Sequence, residues 1–176
     1  MGIDLPKQLK QTLVEFQSEL QQLGVKAFWK SQGNFHLTLE FLGEIESGRV
    51  PVIHNALIKG AEKSKPFHLS VGGLGAFPSL ARPRVLWTGI NGSLTELNIL
   101  QTNIHHELLE SGFNLENRDF KSHITLASRP ELPKMNFLSF NGKLFGEFLV
   151  SDLAIIESKV IRGKRIYTAI EEIKLK

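Results

Sequence analysis

Cysteine is absent from this chain of 176 residues. That one absence removes disulfide frameworks, thiolate zinc sites, iron–sulfur clusters and cysteine nucleophiles, and it suits a reducing compartment. Long apolar runs are missing as well: nowhere do about 18 apolar residues follow one another, so no membrane-spanning helix is expected. The segment Met1 to Lys10 carries Asp4 and Pro6 and lacks the charged-then-apolar order of a secretion signal. Together these absences predict a cytoplasmic protein with no membrane partner. Proline and glycine are not in excess, at 7 and 15 residues, which excludes collagen-like and disordered chains. Strong charge of either sign is also lacking, since 21 Lys and Arg stand against 18 Asp and Glu. The +3 surplus lies before Thr88, where 10 basic residues meet 7 acidic ones, and it is compatible with an anionic partner. What is present in quantity is apolar: 41% hydrophobic residues, enough for one domain over 1–176, folded as one unit or as two lobes sharing one core.

Periodicity assigns the elements. Leu9, Leu13, Phe16, Leu20 and Leu23 recur every three or four residues and predict an amphipathic helix from Pro6, stopped at Gly24. Phe35 to Leu42 alternates instead, with Phe35, Leu37, Leu39 and Phe41 on one side and His36, Thr38 and Glu40 on the other, which predicts a half-buried strand. A helix is expected from about Ser47 to Lys63, a strand around Phe67 to Val71, an irregular loop through Gly72, Gly73, Gly75 and Pro78, and a strand over Val85 to Ile90. Ser93 and Glu96 have capping-box spacing ahead of a helix carrying Leu97, Leu100, Ile104 and Leu108, ended by Gly112. Strands are predicted over Ser122 to Ala127, Phe145 to Glu157 and Ile166 to Ile173. The order predicts an α+β fold of mainly antiparallel sheets with helices on their outer faces.

One internal similarity stands out. Phe35-His36-Leu37-Thr38-Leu39 is echoed by Ser122-His123-Ile124-Thr125-Leu126. Side chains alternate across a strand, so His36 and Thr38 share one face, as do His123 and Thr125, while the aliphatic residues between them anchor the other face in a core. With six His in the chain, about a quarter of one His-x-Thr triplet is expected by chance, and two occur. Reading them as the polar sides of two ordinary strands leaves the doubling unexplained. Two imidazoles across a cleft can deliver one proton and remove another in a single displacement, because a ring with an ordinary pKa of about 6.5 takes either form near neutrality. Opening a cyclic phosphodiester needs a base to activate water and an acid to protonate the leaving oxygen, and the neighbouring hydroxyls can hydrogen-bond the charge that builds between those events. That scheme calls for no metal and no cofactor.

The paired His36-Leu37-Thr38-Leu39 and His123-Ile124-Thr125-Leu126 segments resemble the two-histidine (2H) phosphoesterases, and the surroundings resemble one branch, the RNA 2′,3′-cyclic phosphodiesterases also called LigT-like 2′-5′ RNA ligases. Ile3 to Pro6, Asn34 to Glu44, Gly75 to Pro78, Pro83 to Trp87, Phe120 to Ala127, Glu157-Ser158 and Tyr167 all carry the likeness. It implies a bilobal, pseudo-two-fold α+β fold with one His-x-Thr strand per lobe and a metal-free central cleft. It implies as substrate an RNA or nucleotide with a 2′,3′-cyclic phosphate end, opened to a 2′-phosphate by a monomer, with weak 2′-5′ joining in reverse. By the same resemblance His36 is the acid toward O3′ and His123 the base toward water, with Thr38 and Thr125 on the phosphate; the sequence leaves the order of acid and base open. Three departures accompany the match. The apolar strand before Asp4-Leu5-Pro6 is short and is expected to loosen a sheet edge, and Ser122 stands where the family has proline. Arg129 follows Ala127 one residue later than the family's arginine, which reverses its face if the strand continues.

Other candidates are weaker. Phe77 could stack a base or plug the core edge, and Arg84 with Arg129 could contact phosphate. Arg82, Lys159, Arg162, Lys164 and Arg165 could form a basic rim or a solvated turn. His54, His68, His105 and His106 lack metal-ligand spacing and read as surface or satisfied histidines, and Trp29 and Trp87 as packing residues. Two rival functions stay open: a 2H enzyme for another cyclic or 2′-5′-linked nucleotide, and a non-catalytic RNA-binding module.

Overall fold

The computed structural model describes residues 1–116 and 119–176, together with the side chains of all of these except Lys164. Strands β1 (Gly2–Asp4), β3 (His36–Thr38), β8 (Asp152–Ile161) and β9 (Lys164–Lys174) form one sheet in the order β3-β1-β8-β9. Strands β2 (Lys26–Trp29), β4 (Phe67–Phe77), β5 (Val85–Gly92), β6 (His123–Glu131) and β7 (Leu144–Val150) form the other, in the order β2-β6-β5-β4-β7. Every pairing is antiparallel. Three helices, α1 (Lys7–Gln22), α2 (Val50–Ala61) and α3 (Leu94–Glu110), complete the α+β architecture expected from the sequence. One continuous cluster of buried apolar side chains runs through both sheets.

Local chemistry explains most of these elements. α1 buries Leu9, Leu13, Phe16 and Leu20, the stripe read from its periodicity, and begins directly after Pro6. Although its sequence follows β1, it packs on the other sheet, where the Phe16 ring lies 4.4 Å from Phe145 and 5.5 Å from Phe140. Gln17, buried on the same face, donates to Lys30 O and Leu126 O at 2.9 Å each, tying the helix to β6. α2 and α3 pack closely because Gly60 has no side chain: a Cβ there would lie 2.8 Å from Ile104 Cα.

Several expectations are corrected. The strand predicted over Phe35–Leu42 is ladder-paired only at His36–Thr38; Phe35, Leu37 and Leu39 are buried as expected, but the chain bends at Leu39 and Phe41 is exposed. Gly72 to Gly75 is no loop: β4 runs through it to Phe77, with a bulge that shifts register against β5. The second helix starts at Val50, after a 3-10 turn over Ser47–Arg49. The single strand predicted from Phe145 to Glu157 is two strands in different sheets, divided at Ser151. Buried Phe148 and Val150 on even positions give way to buried Leu153 and Ile155 on odd ones, a phase change that marks the crossing. Ser93 makes no side-chain cap bond to α3, so the capping box is not formed. β2 was not expected as a strand, and β1 was expected only as a shortened one. β1, far from loosening an edge, lies inside its sheet between β3 and β8.

Candidate active site

β3 and β6 present their triplets in the same way. Leu37 and Ile124 are fully buried, and this fixes which face of each strand turns inward. His36 and Thr38 are half-buried on the opposite face of β3, as are His123 and Thr125 on β6. Each ring is tethered through Nδ1 to a carbonyl two residues earlier, His36 to Asn34 O at 3.0 Å and His123 to Lys121 O at 2.7 Å. A carbonyl only accepts, so Nδ1–H donates in both cases and the titrating nitrogen of both rings is Nε2.

A cavity of about 770 Å³ opens between the two strands, with Thr38, Glu40, Arg84, Lys121, His123 and Thr125 in its wall. Both threonines and His123 therefore reach it directly. His36 adjoins it one alternation before Thr38 on β3 and does not itself line it. Aromatic rings brace both histidines. The Tyr167 centroid on β9 is 4.9 Å from that of His36, and Phe77 meets His123 edge to face at 4.9 Å, with Trp87 tilted against both at 5.1 Å from Phe77 and 6.3 Å from His123. Trp87 fits there because Gly75 is bare; a Cβ on Gly75 would fall 2.2 Å from the indole.

The two rings differ in surroundings. Burial holds the His36 imidazole below the ordinary histidine range, against the pull of its hydrogen bond to Asn34, and the nearby Met1 amino group adds to the lowering. That amino group donates to Glu40 O at 2.7 Å and is itself lowered to about 6 by burial, partly offset by the Glu40 carboxylate.

The remaining predicted residues divide. Phe77 and Arg84 come to the cavity. Arg129 does not line it: β6 continues to Glu131, the backbone at Arg129 has φ 49°, and the guanidinium lies 5.7 Å from the exposed Phe28 ring. In the basic turn, Lys159 pairs with Glu157 at 2.9 Å and Arg165 donates to Ser158 Oγ at 2.8 Å, while the Lys164 side chain is outside the described residues. His105, set aside as a surface or satisfied histidine, lies in the cavity wall with its Nδ1 2.7 Å from Glu40 Oε2. Glu40 and Gln101 were also missed. Glu40 shares the alternation of His36 and Thr38, and Gln101 and His105 are one turn apart on α3, so both signals were present in the spacing. Among the described residues, no group of three or more His, Asp or Glu is placed to hold a metal ion.

Two antiparallel sheets flanking one cleft match the fold of solved LigT-like phosphoesterases. LigT of E. coli complexed with 3′-AMP superposes with a TM-score of 0.80 at 23% identity, over 99% of this chain and 95% of that one. A protein of Thermus thermophilus gives 0.76 at 28% identity with the same coverage. The family model "LigT like Phosphoesterase" matches residues 3–87. The RNA 2′,3′-cyclic phosphodiesterase of Aeropyrum pernix is 30% identical over 92% of this chain and 94% of its own length, and that of Aquifex aeolicus 30% over 99% and 95%. The chain belongs to the LigT-like family of phosphoesterases, alongside these RNA 2′,3′-cyclic phosphodiesterases.

Proposed function

We propose that this protein hydrolyses RNA 2′,3′-cyclic phosphate ends to 2′-phosphates through His36 and His123, without a metal ion or other cofactor. The observation that carries the reading is the repeated His-x-Thr strand, one from each sheet, with both rings anchored through Nδ1 so that Nε2 is the nitrogen that exchanges protons. Family membership beside relatives named as RNA 2′,3′-cyclic phosphodiesterases supports the substrate, and the 3′-AMP bound by E. coli LigT supports a nucleotide in the cleft.

In this reading a water oxygen forms the new bond to phosphorus as the bond to O3′ breaks. His123 takes the water's proton, and His36 gives its proton to the departing O3′. Thr38 and Thr125 donate hydrogen bonds to the non-bridging oxygens, where charge is greatest in the transition state. The lowered pKa of His36 makes it a ready proton donor once protonated, and an incoming phosphate anion favours the protonated form. The same pair run backwards supports weak 2′-5′ joining. Both triplets come from one chain, which supports a monomer folded as a single bilobal domain over 1–176. No helix among the described residues is long and apolar enough to cross a membrane; we place the enzyme in the cytoplasm, with the cysteine-free composition as support.

The test is turnover of 2′,3′-cyclic nucleotides and of cyclic-phosphate-ended RNA by protein stripped with EDTA. A 2′-phosphate product formed at an undiminished rate is expected. A 3′-phosphate product, or activity that returns only with added metal, would overturn the reading.

A further inference from the structure

The reaction above leaves one hydrogen-bonded cluster in the cleft without a task. Glu40 Oε2 receives His105 Nδ1 at 2.7 Å and Gln101 Nε2 at 3.4 Å, and Oε1 receives the Phe41 N–H at 3.2 Å. An ionised carboxylate can only accept, so the ring hydrogen sits on Nδ1 and the amide nitrogen of Gln101 faces Glu40. Each side chain keeps an acceptor for a ligand, Oε1 of the Gln101 amide beside its second N–H, and Nε2 of the His105 ring in its neutral form. Gln101 and His105 lie one turn apart on the same face of α3, and both line the cavity. Two acceptors beside the Glu40 carboxylate suit a ligand that presents adjacent N–H donors. Phe41, 57% exposed, and Phe120 line the same cavity and offer flat apolar surface of the kind on which unstacked bases settle.

We propose that Gln101 and His105, oriented by Glu40, read the base of the substrate's terminal nucleotide and favour guanine. Guanine presents N1–H and N2–H₂ as adjacent donors on one edge. Adenine and cytosine offer one amino group beside a ring acceptor, and uracil one N–H between two carbonyls. Glu40 is a positioning residue here, and Gln101 and His105 are the contacts. The inference deepens the proposed function and rests on it for the identity of the ligand.

The experiment compares kcat/KM for 2′,3′-cyclic GMP, AMP, CMP and UMP at about pH 8, alkaline of the free imidazole value of about 6.5. Wild-type enzyme is expected to favour cyclic GMP over cyclic UMP by about tenfold, the order of a two-bond base contact. Gln101→Leu and His105→Phe each shrink that ratio to about threefold or less, chiefly by loss on the guanine substrate, while cyclic UMP turnover reports that the variant is folded. Calorimetric binding of 2′-GMP and 2′-UMP reads the same preference without turnover. If no cyclic nucleotide is hydrolysed yet 2′-GMP binds about tenfold tighter, the proposed reaction fails and the base subsite stands. Equal turnover and equal binding of all four bases by the wild type, or a guanine preference undiminished in both variants, would overturn the inference.

Discussion

β3 is a three-residue strand at the rim of its sheet, whereas β6 runs nine residues between β2 and β5. Both carry the same triplet, and both hold their histidine by the same Nδ1 tether. What surrounds the rings is unlike. His36 owes its position to β1 on one side and Tyr167 on the other, and burial lowers its pKa. His123 sits at the start of a long central strand, braced by Phe77. The comparison separates two kinds of information: the triplet and its tether set which nitrogen faces away from the backbone, while the lobe sets what packs around the ring.

The comparison is broken most severely by deleting the rings. His36→Ala and His123→Ala should each lower kcat by about 10² to 10⁴, with the double variant little worse than either, because paired acid and base act as a unit. Steady-state assays on cyclic nucleotides check this. They also separate the roles: a substrate with sulfur in place of O3′ leaves without an acid, so it should restore turnover to His36→Ala and not to His123→Ala. Rescue of the other variant would exchange the assignments.

Removing the hydroxyls comes next. Thr38→Val and Thr125→Val keep shape and lose the donor, and each should cost about 10² in kcat, with KM changed less. A loss confined to one of them would show that the two lobes share the phosphate unequally.

A smaller effect sharpens the β6 side alone. Gly75→Ala drives a methyl into the Trp87 indole, which packs against both Phe77 and His123. A stability loss of about 1–3 kcal/mol by chemical denaturation is expected, together with a fall in kcat that His36-side changes such as Tyr167→Phe do not reproduce.

The smallest effect is in pH. A folded-state pKa below the unfolded value of about 6.5 means that the unfolded chain binds the proton more readily. The contribution of His36 to stability is therefore fully present above about 6.5 and is lost as pH falls through its lowered folded value. Melting temperature followed downward from neutrality should decline, and the decline should be shallower in His36→Asn. An unchanged slope in that variant would place the titration elsewhere.

Much of this was legible in the residues. The period-two alternation of Phe35, Leu37 and Leu39 against His36 and Thr38 gave the buried face of β3 correctly, and the stripe of α1 gave its buried side. Phe41 and Gly72 to Gly75 misled for opposite reasons. Alternation continued past Thr38 although the backbone bent at Leu39, and glycines that signal loops also permit a bulge inside a long strand. β1 and β2 have three and four residues, too few for any period to emerge. The Glu40, Gln101 and His105 cluster joins a strand end to a helix 61 and 65 residues away, and only tertiary packing brings those two together.

The sheet that holds His36 is assembled from the two extremes of the chain: β1 and β3 come early, β8 and β9 last. During synthesis His36 leaves the ribosome long before Tyr167, its aromatic brace, and before the strands that turn a two-stranded ribbon into a sheet. A nascent chain therefore carries His36 for most of its elongation without the sheet that buries the ring and the tyrosine that braces it.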